Sequence, residues 1–147
     1  MSSTAKEIKY QVFVSSTFSD LIDERREVIN TILELNHIPV SMEFFPASNK
    51  DQWTVIQRLL DTCDYYVIIV AGKYGSVDNK TGKSYTQLEY EYALEKKIPI
   101  MGLLHKDITK LPLEKRENNR ELLEKIESFK GFVRSKMCKF WESQDQL

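Results

Sequence analysis

Cysteine and histidine are nearly missing from this sequence of 147 residues, which holds two of each. Cys63 and Cys138 are too few and too isolated for a disulfide framework, which places the chain in a reducing cytosol. With only His37 and His105 there is no zinc-ligand spacing and no Cys–His pair for a thiol nucleophile. Excess charge is missing as well. The formal net charge is -1 at pH 7, and basic clusters are offset by neighbouring acids, so nothing marks a nucleic-acid binder. No apolar run approaches a membrane span, and MSSTAKEIKYQ lacks the apolar core of a signal peptide. Internal repeats and low-complexity segments are absent too. What remains is 41% hydrophobic and 29% charged, the balance of one soluble globular domain over residues 1–147.

Four short apolar runs alternate with helical patterns. YQVFVSS (10–16) reads as the first strand. From Phe18 the period turns helical, through Leu21, Ile22, Val28, Ile29, Ile32 and Leu33. PVSMEFF (39–45) reads as the second strand. NKDQWTVIQRLLDTC (49–63) is a helix with Trp53, Ile56 and Leu60 on one face and Asn49 or Ser48 as cap. YYVIIVAG (65–72) is a β-branched run without alternation, as expected for a central parallel strand covered on both faces. A polar loop follows, then a helix from Ser84, then IPIMGLL (98–104) as the fourth strand. This alternation predicts a doubly wound, mainly parallel α/β sheet of four to five strands, in the flavodoxin-like order 2-1-3-4-5.

The last third is less regular. Residues 105–119 are charged and loop-like. RELLEKIESFKGF (120–132) fits a helix stopped near Gly131, and MCKFW (137–141) fits a fifth, edge strand. ESQDQL reads as the start of another helix, which points to an N-terminal module excised from a longer protein.

Several nucleotide motifs are excluded. TGKS at 81–84 lacks the preceding glycine of a phosphate-binding loop, whose place is taken by Val77. GxGxxG is absent. A phospho-receiver needs an Asp at the end of strand three, and VIIVAGKYG has none. No G-x-S-x-G elbow exists, and no His is placed to activate Ser15 or Ser16.

In an open doubly wound sheet, ligands bind outside the carboxyl ends of the strands where strand order reverses. Here that crevice is edged by SSTFSD (15–20) and AGKYGS (71–76). The helix after the second loop carries an oddity. Taking Tyr85 as reference, Leu88, Glu89, Tyr92 and Lys96 fall within about 60° of it on a helix wheel. Ser84 and Gln87 have capping-box spacing, which puts Glu89 in the second turn, near the carboxyl edge. An inward carboxylate is costly unless it is paired or used. Tyr85, Tyr92 or a serine could satisfy it by a hydrogen bond, without function.

Arg25 is a second misfit, on the stripe of Leu21, Val28 and Ile32. Under a Ser-Ser-Thr turn it could hold an anion such as phosphate. An ion pair with Glu43 or Asp20 is the structural alternative. Glu43, at the end of strand two, is a further candidate for the same edge. Ser15, Ser16, Thr17 and Ser19 also suit capping and turn roles, and Tyr74 suits packing over its loop. Leu94 and Tyr90, opposite Leu88, are candidate contact residues for a partner, although burial by neighbouring helices is the simpler reading.

Together VFVSSTFSDLIDERREV, PVSMEFFPAS, CDYYVIIVAGKYGS and SYTQLEYEYALEKKIPIMGLL resemble DUF4062, a domain of unknown function within the TIR-like group. The resemblance covers residues 10–104, and KFWES resembles the family's last strand. Such domains sit at the N-terminus of larger NTPase and repeat-containing proteins, including anti-phage defence proteins. Enzymatic TIR domains cleave the N-glycosidic bond of NAD with a glutamate on the helix after strand three. The resemblance implies that Glu89 is that residue. It implies further that Ser15, Ser16 and Thr17 line the ribose and phosphate side, with Tyr74 or Tyr85 stacking on a ring. SYTQL stands where TIR domains commonly have a Trp-Cys pair, so a shared position need not carry a shared reaction. Ser84, Arg25 and Glu43 complete the expected ligand-binding set.

Two classes of function follow. One is an effector acting on NAD, or a sensor binding a related nucleotide without cleaving it, with no resident cofactor and switched on by homo-oligomerisation. The other is a non-catalytic self-association or adaptor domain. The first expects an open concave site around Glu89, the second a Glu89 locked in hydrogen bonds beside exposed apolar surface.

Overall fold

The computed structural model describes residues 8–41, 52–143 and 146–147. Its centre is a five-stranded parallel sheet in the order β2-β1-β3-β4-β5. The strands are β1 (Gln11–Ser15), β2 (Ile38–Val40), β3 (Tyr65–Val70), β4 (Ile100–His105) and β5 (Cys138–Trp141). The helices are α1 (Ile22–Glu34), α2 (Gln52–Asp61), α3 (Tyr85–Glu95) and α4 (Arg120–Arg134). Order and direction are those expected from the alternating pattern, and the edge strand at 138–141 pairs with β4. No described helix is long and apolar enough to cross a membrane.

The sheet buries two cores. On one face, Phe13, Tyr66, Ile68 and Leu104 pack against Ile56 and Leu60 of α2, Tyr90 and Ala93 of α3, and Ile126, Phe129 and Val133 of α4. On the other, Val12, Val14, Ile69 and Trp141 pack against Val28, Ile29 and Ile32 of α1. A continuous β-branched run such as YYVIIV is what a strand covered on both faces needs. Tyr66, Ile68 and Ile69 are each essentially inaccessible.

Two details depart from the sequence pattern. α4 does not stop at Gly131 but continues to Arg134. The extra turn seats Val133 over β4, where a Cβ on Gly102 would lie 2.5 Å from Val133 Cγ1. Core burial overrides the glycine signal. In α3 the buried stripe is Thr86, Glu89, Tyr90 and Ala93, rotated from the Tyr85–Leu88–Tyr92 face. Neighbours flank that helix on both sides: Trp53 of α2 meets Tyr92 edge-on, and Phe129 of α4 meets Tyr90. Tyr90 is thus a core residue, only 1% exposed, and not a surface contact. β2 runs to Val40, and residues 42–51, with the candidates Glu43, Ser48 and Asn49, lie outside the described residues.

Candidate functional site

A cleft of about 700 Å³ opens at the carboxyl ends of β1 and β3. The Ser15–Asp20 turn forms one wall. Lys73, Gly75 and Ser76 after β3 form a second, and Tyr85, Thr86 and Glu89 at the start of α3 a third. This is the crevice that the topology of a doubly wound sheet provides, at the point where strand order reverses.

Glu89 projects from the second turn of α3 towards β1. Ser84 caps that helix by accepting a 3.1 Å hydrogen bond from the Gln87 N–H. Only half of a capping box forms, because the Gln87 side chain turns elsewhere: its Oε1 accepts from the Tyr74 hydroxyl and its Nε2 donates to Glu91. Glu89 is 8% exposed. It accepts a 2.5 Å hydrogen bond from Ser15 Oγ. Burial raises its pKa from 4.5 to about 7, against the downward pull of the Ser15 hydroxyl and the Arg25 charge. A carboxyl poised near neutrality in a cleft can serve as an acid, a base or a stabilising anion.

Arg25, from the first turns of α1, is 4% exposed. Its Nη1 donates to Ser16 Oγ at 2.7 Å and its Nη2 to Ser41 Oγ, while the guanidinium faces the Phe18 ring at 5.8 Å. The guanidinium therefore ties the β1 turn to the end of β2, with its charge near Glu89. Ser16 in turn donates to the Thr17 carbonyl. Thr17 packs against Gly75, where an added Cβ would lie 2.9 Å from Thr17 Cγ2 and φ is +97°. This close approach draws the two cleft walls together.

Further along the cleft lie charged groups from the two loops expected at its mouth, joined by one that the sequence does not mark. Asp20, weighed in the sequence as a partner for Arg25, lines the cleft itself. Burial raises its pKa, partly offset by the Thr17 side chain. Its Oδ2 has no hydrogen-bond partner among the described residues. Lys73 and Glu117 sit opposite, with Nζ and Oε1 3.9 Å apart. Glu117 comes from the charged segment after β4. It reaches the cleft because Gly72 allows that segment to cross β3's carboxyl end. The Glu117 N–H donates to the Gly72 carbonyl at 2.8 Å, and its Oε2 accepts from the Tyr74 N–H at 2.7 Å. Only the glycine hints at this, as a point of close backbone approach.

Of the residues singled out from sequence, Ser15, Ser16, Thr17, Arg25, Tyr85 and Glu89 are brought together in the cleft. Tyr74 is not: its ring packs in the core, edge-on to Phe129 at 6.5 Å. Ser84 is fully buried as the α3 cap. Among the described residues, no group of His, Cys, Asp and Glu is clustered for a metal ion.

Residues 11–147 match the family DUF4062, described as a domain of unknown function. No curated protein matches the chain. Among solved structures it is similar to the TIR domains of the activated Roq1 resistosome, which directly recognises the pathogen effector XopQ. The TM-score is 0.62 at 9% identity, over 94% of each chain. It is also similar to a prokaryotic SEFIR domain, with a TM-score of 0.50 at 16% identity over 86% of this chain and 91% of that one. At such identities the likeness is one of fold, and the fold is TIR-like.

Proposed function

The chain belongs to the DUF4062 family, and from its cleft we propose that it is a TIR-like effector that cleaves the N-glycosidic bond of NAD or a related nucleotide. The observation that carries this reading is a buried Glu89 carboxyl with a pKa near 7 beside an open cleft at the switch point. An adaptor needs neither. In the proposed reaction the bond from ribose C1′ to the nicotinamide nitrogen breaks, and its electron pair leaves with the base, which becomes neutral. Ionised Glu89 holds ribose hydroxyls and stabilises the positive charge that develops at C1′. Water adds at C1′ and releases a proton, giving ADP-ribose.

Ser15 orients Glu89, and Tyr85 supplies a ring at the cleft wall. Arg25 is engaged with two serine hydroxyls, so it supports the wall and the charge balance in preference to gripping phosphate directly. We place the activity in anti-phage defence or similar signalling, switched on by oligomerisation; similarity to a TIR domain within a resistosome supports assembly as the trigger. The adaptor reading keeps two observations of its own. Glu89 is 8% exposed and takes the Ser15 hydrogen bond, the engaged carboxyl that this reading expects. Phe132, Met137 and Phe140 are each about half exposed or more.

The test is NAD consumption by the clustered domain beside its Glu89→Ala variant. The expected result is turnover in the wild type, loss in the variant and the same assembly state in both. Intact NAD with the clustered wild type would remove that substrate and bring nucleotide sensing or self-association forward.

A further inference from the structure

Asp20 stands in the turn directly ahead of α1 and is 7% exposed. A carboxylate near that place is ordinarily spent on the free N–H groups of the helix end. Here Leu21 takes the N-cap position without a side-chain hydrogen bond, and Asp20 lines the cleft instead. Its Oδ2 is buried and has no hydrogen-bond partner among the described residues. Protonated or ionised, that oxygen is left unmet by the fold, which is destabilising. A polar atom kept unpaired in the wall of an open cleft is a contact point for what enters the cleft.

Lys73 lines the same cleft from the other loop, one residue past Gly72. Arg25 is spent on the wall, where its two nitrogens donate to Ser16 and Ser41. Lys73 is held differently. Its side chain is 31% exposed, and its ion partner among the described residues, Glu117, lies 3.9 Å away. That is beyond hydrogen-bond reach. Glu117 does not depend on it, because its Oε2 accepts from the Tyr74 N–H at 2.7 Å. A loose, partly exposed pair contributes little, so the ammonium can turn to an incoming anion at small cost. One loop at the switch point thus offers an unused acceptor, and the other a loosely held cation.

We infer that Asp20 and Lys73 form a second subsite of the cleft for a phosphorylated nucleoside, Lys73 taking a phosphate oxygen and Asp20 Oδ2 accepting from an O–H or N–H group of the attached sugar or base. A compact ammonium is a phosphate binder, and hydroxyl and amine donors suit a carboxylate oxygen with open lone pairs. The pair also discriminates. Asp20 repels a bare anion, and an uncharged sugar leaves Lys73 unused. A cleft of about 700 Å³ has the size of a small-molecule site. The choice of a nucleotide rests on the function proposed above. The subsite deepens that reading by assigning the residues that hold the part of the ligand that does not react.

The experiment measures binding of ADP-ribose, AMP and IMP by calorimetry to the full chain as wild type, Asp20→Ala and Lys73→Met, with a thermal melt of each. The expected result is a loss of ADP-ribose affinity of roughly tenfold or more in both variants. Equal losses for AMP and IMP in Asp20→Ala assign its contact to the sugar, and a loss for AMP alone assigns it to the adenine amine. Lys73→Met leaves Glu117 on the Tyr74 N–H and keeps the fold, so the test stays decisive even where Asp20→Ala unfolds. A wild type that binds none of the three, or a folded variant that binds them as wild type does, overturns the inference. NAD cleavage is read separately. If NAD stays intact while both variants lose ADP-ribose, the glycosidase reading fails and the subsite stands. If wild type and both variants cleave NAD with the same KM, the subsite fails and the glycosidase reading stands.

Discussion

Ser15 and Glu89, 74 residues apart in the chain, meet through a hydrogen bond of 2.5 Å. One stands at the last residue of β1 and the other in the second turn of α3, so the bond spans the sheet–helix interface at the cleft. It is the point at which the strand order of the sheet becomes local chemistry.

Replacing Ser15 with Ala removes that donor. Because the hydroxyl favours the charged carboxylate, the variant should titrate Glu89 above the wild-type value of about 7. The stability cost should be about 1–3 kcal/mol at pH 8, where Glu89 is ionised, and smaller at pH 5. Chemical denaturation at the two pH values checks this; equal losses would show that the bond does not act on the charge.

Glu89 itself should make the fold sensitive to alkali. Its folded pKa is raised from 4.5 to about 7, so the folded state holds the proton more tightly than the unfolded chain. Its contribution is most favourable below pH 4.5 and is lost as pH rises through 7. The full effect is about 3 kcal/mol. Glu89→Gln should therefore exceed wild type in stability by about 1–3 kcal/mol at pH 8, without that advantage at pH 4, and lose turnover. A stability–pH curve parallel to that of wild type would mean that Glu89 ionises like an exposed carboxyl.

Arg25 combines a fork and a charge, and two substitutions separate them. Lys keeps the charge but its single nitrogen cannot bridge Ser16 and Ser41 in the same way, so Arg25→Lys should cost about 1–3 kcal/mol and leave the Glu89 titration nearly in place. Arg25→Met should lose stability and also raise the Glu89 midpoint. Urea melts and carboxyl titration of both variants distinguish the two contributions.

Two glycines should answer an alanine in opposite ways. A Cβ on Gly72 would lie 2.4 Å from the Lys115 carbonyl oxygen, which is backbone and cannot swing aside. Gly72→Ala should cost about 1–3 kcal/mol and loosen Glu117 from the cleft. Gly131 lies within α4 with open space around it, so Gly131→Ala should stabilise by about 1 kcal/mol. Thermal melts of the pair provide the comparison.

The sequence by itself determined the sheet, because period and composition are local properties. YYVIIV announces a strand buried on both faces, the α1 stripe announces its buried side with Arg25 included, and alternation leaves few topologies to choose among. The same regularities placed the switch-point cleft and identified Glu89 as an inward carboxylate. Only the tertiary structure decided which groups share that cleft. The face of α3 was set by the two helices flanking it, and the length of α4 by the seat of Val133 on Gly102, so neither followed from its own periodicity. Tyr74 left the cleft for the core because Phe129 and Gln87 were there to meet it. Asp20, Lys73 and Glu117 gathered at one edge through contacts between residues far apart in the chain. Such contacts depend on how elements pack, and a pattern read along one element cannot register its neighbours.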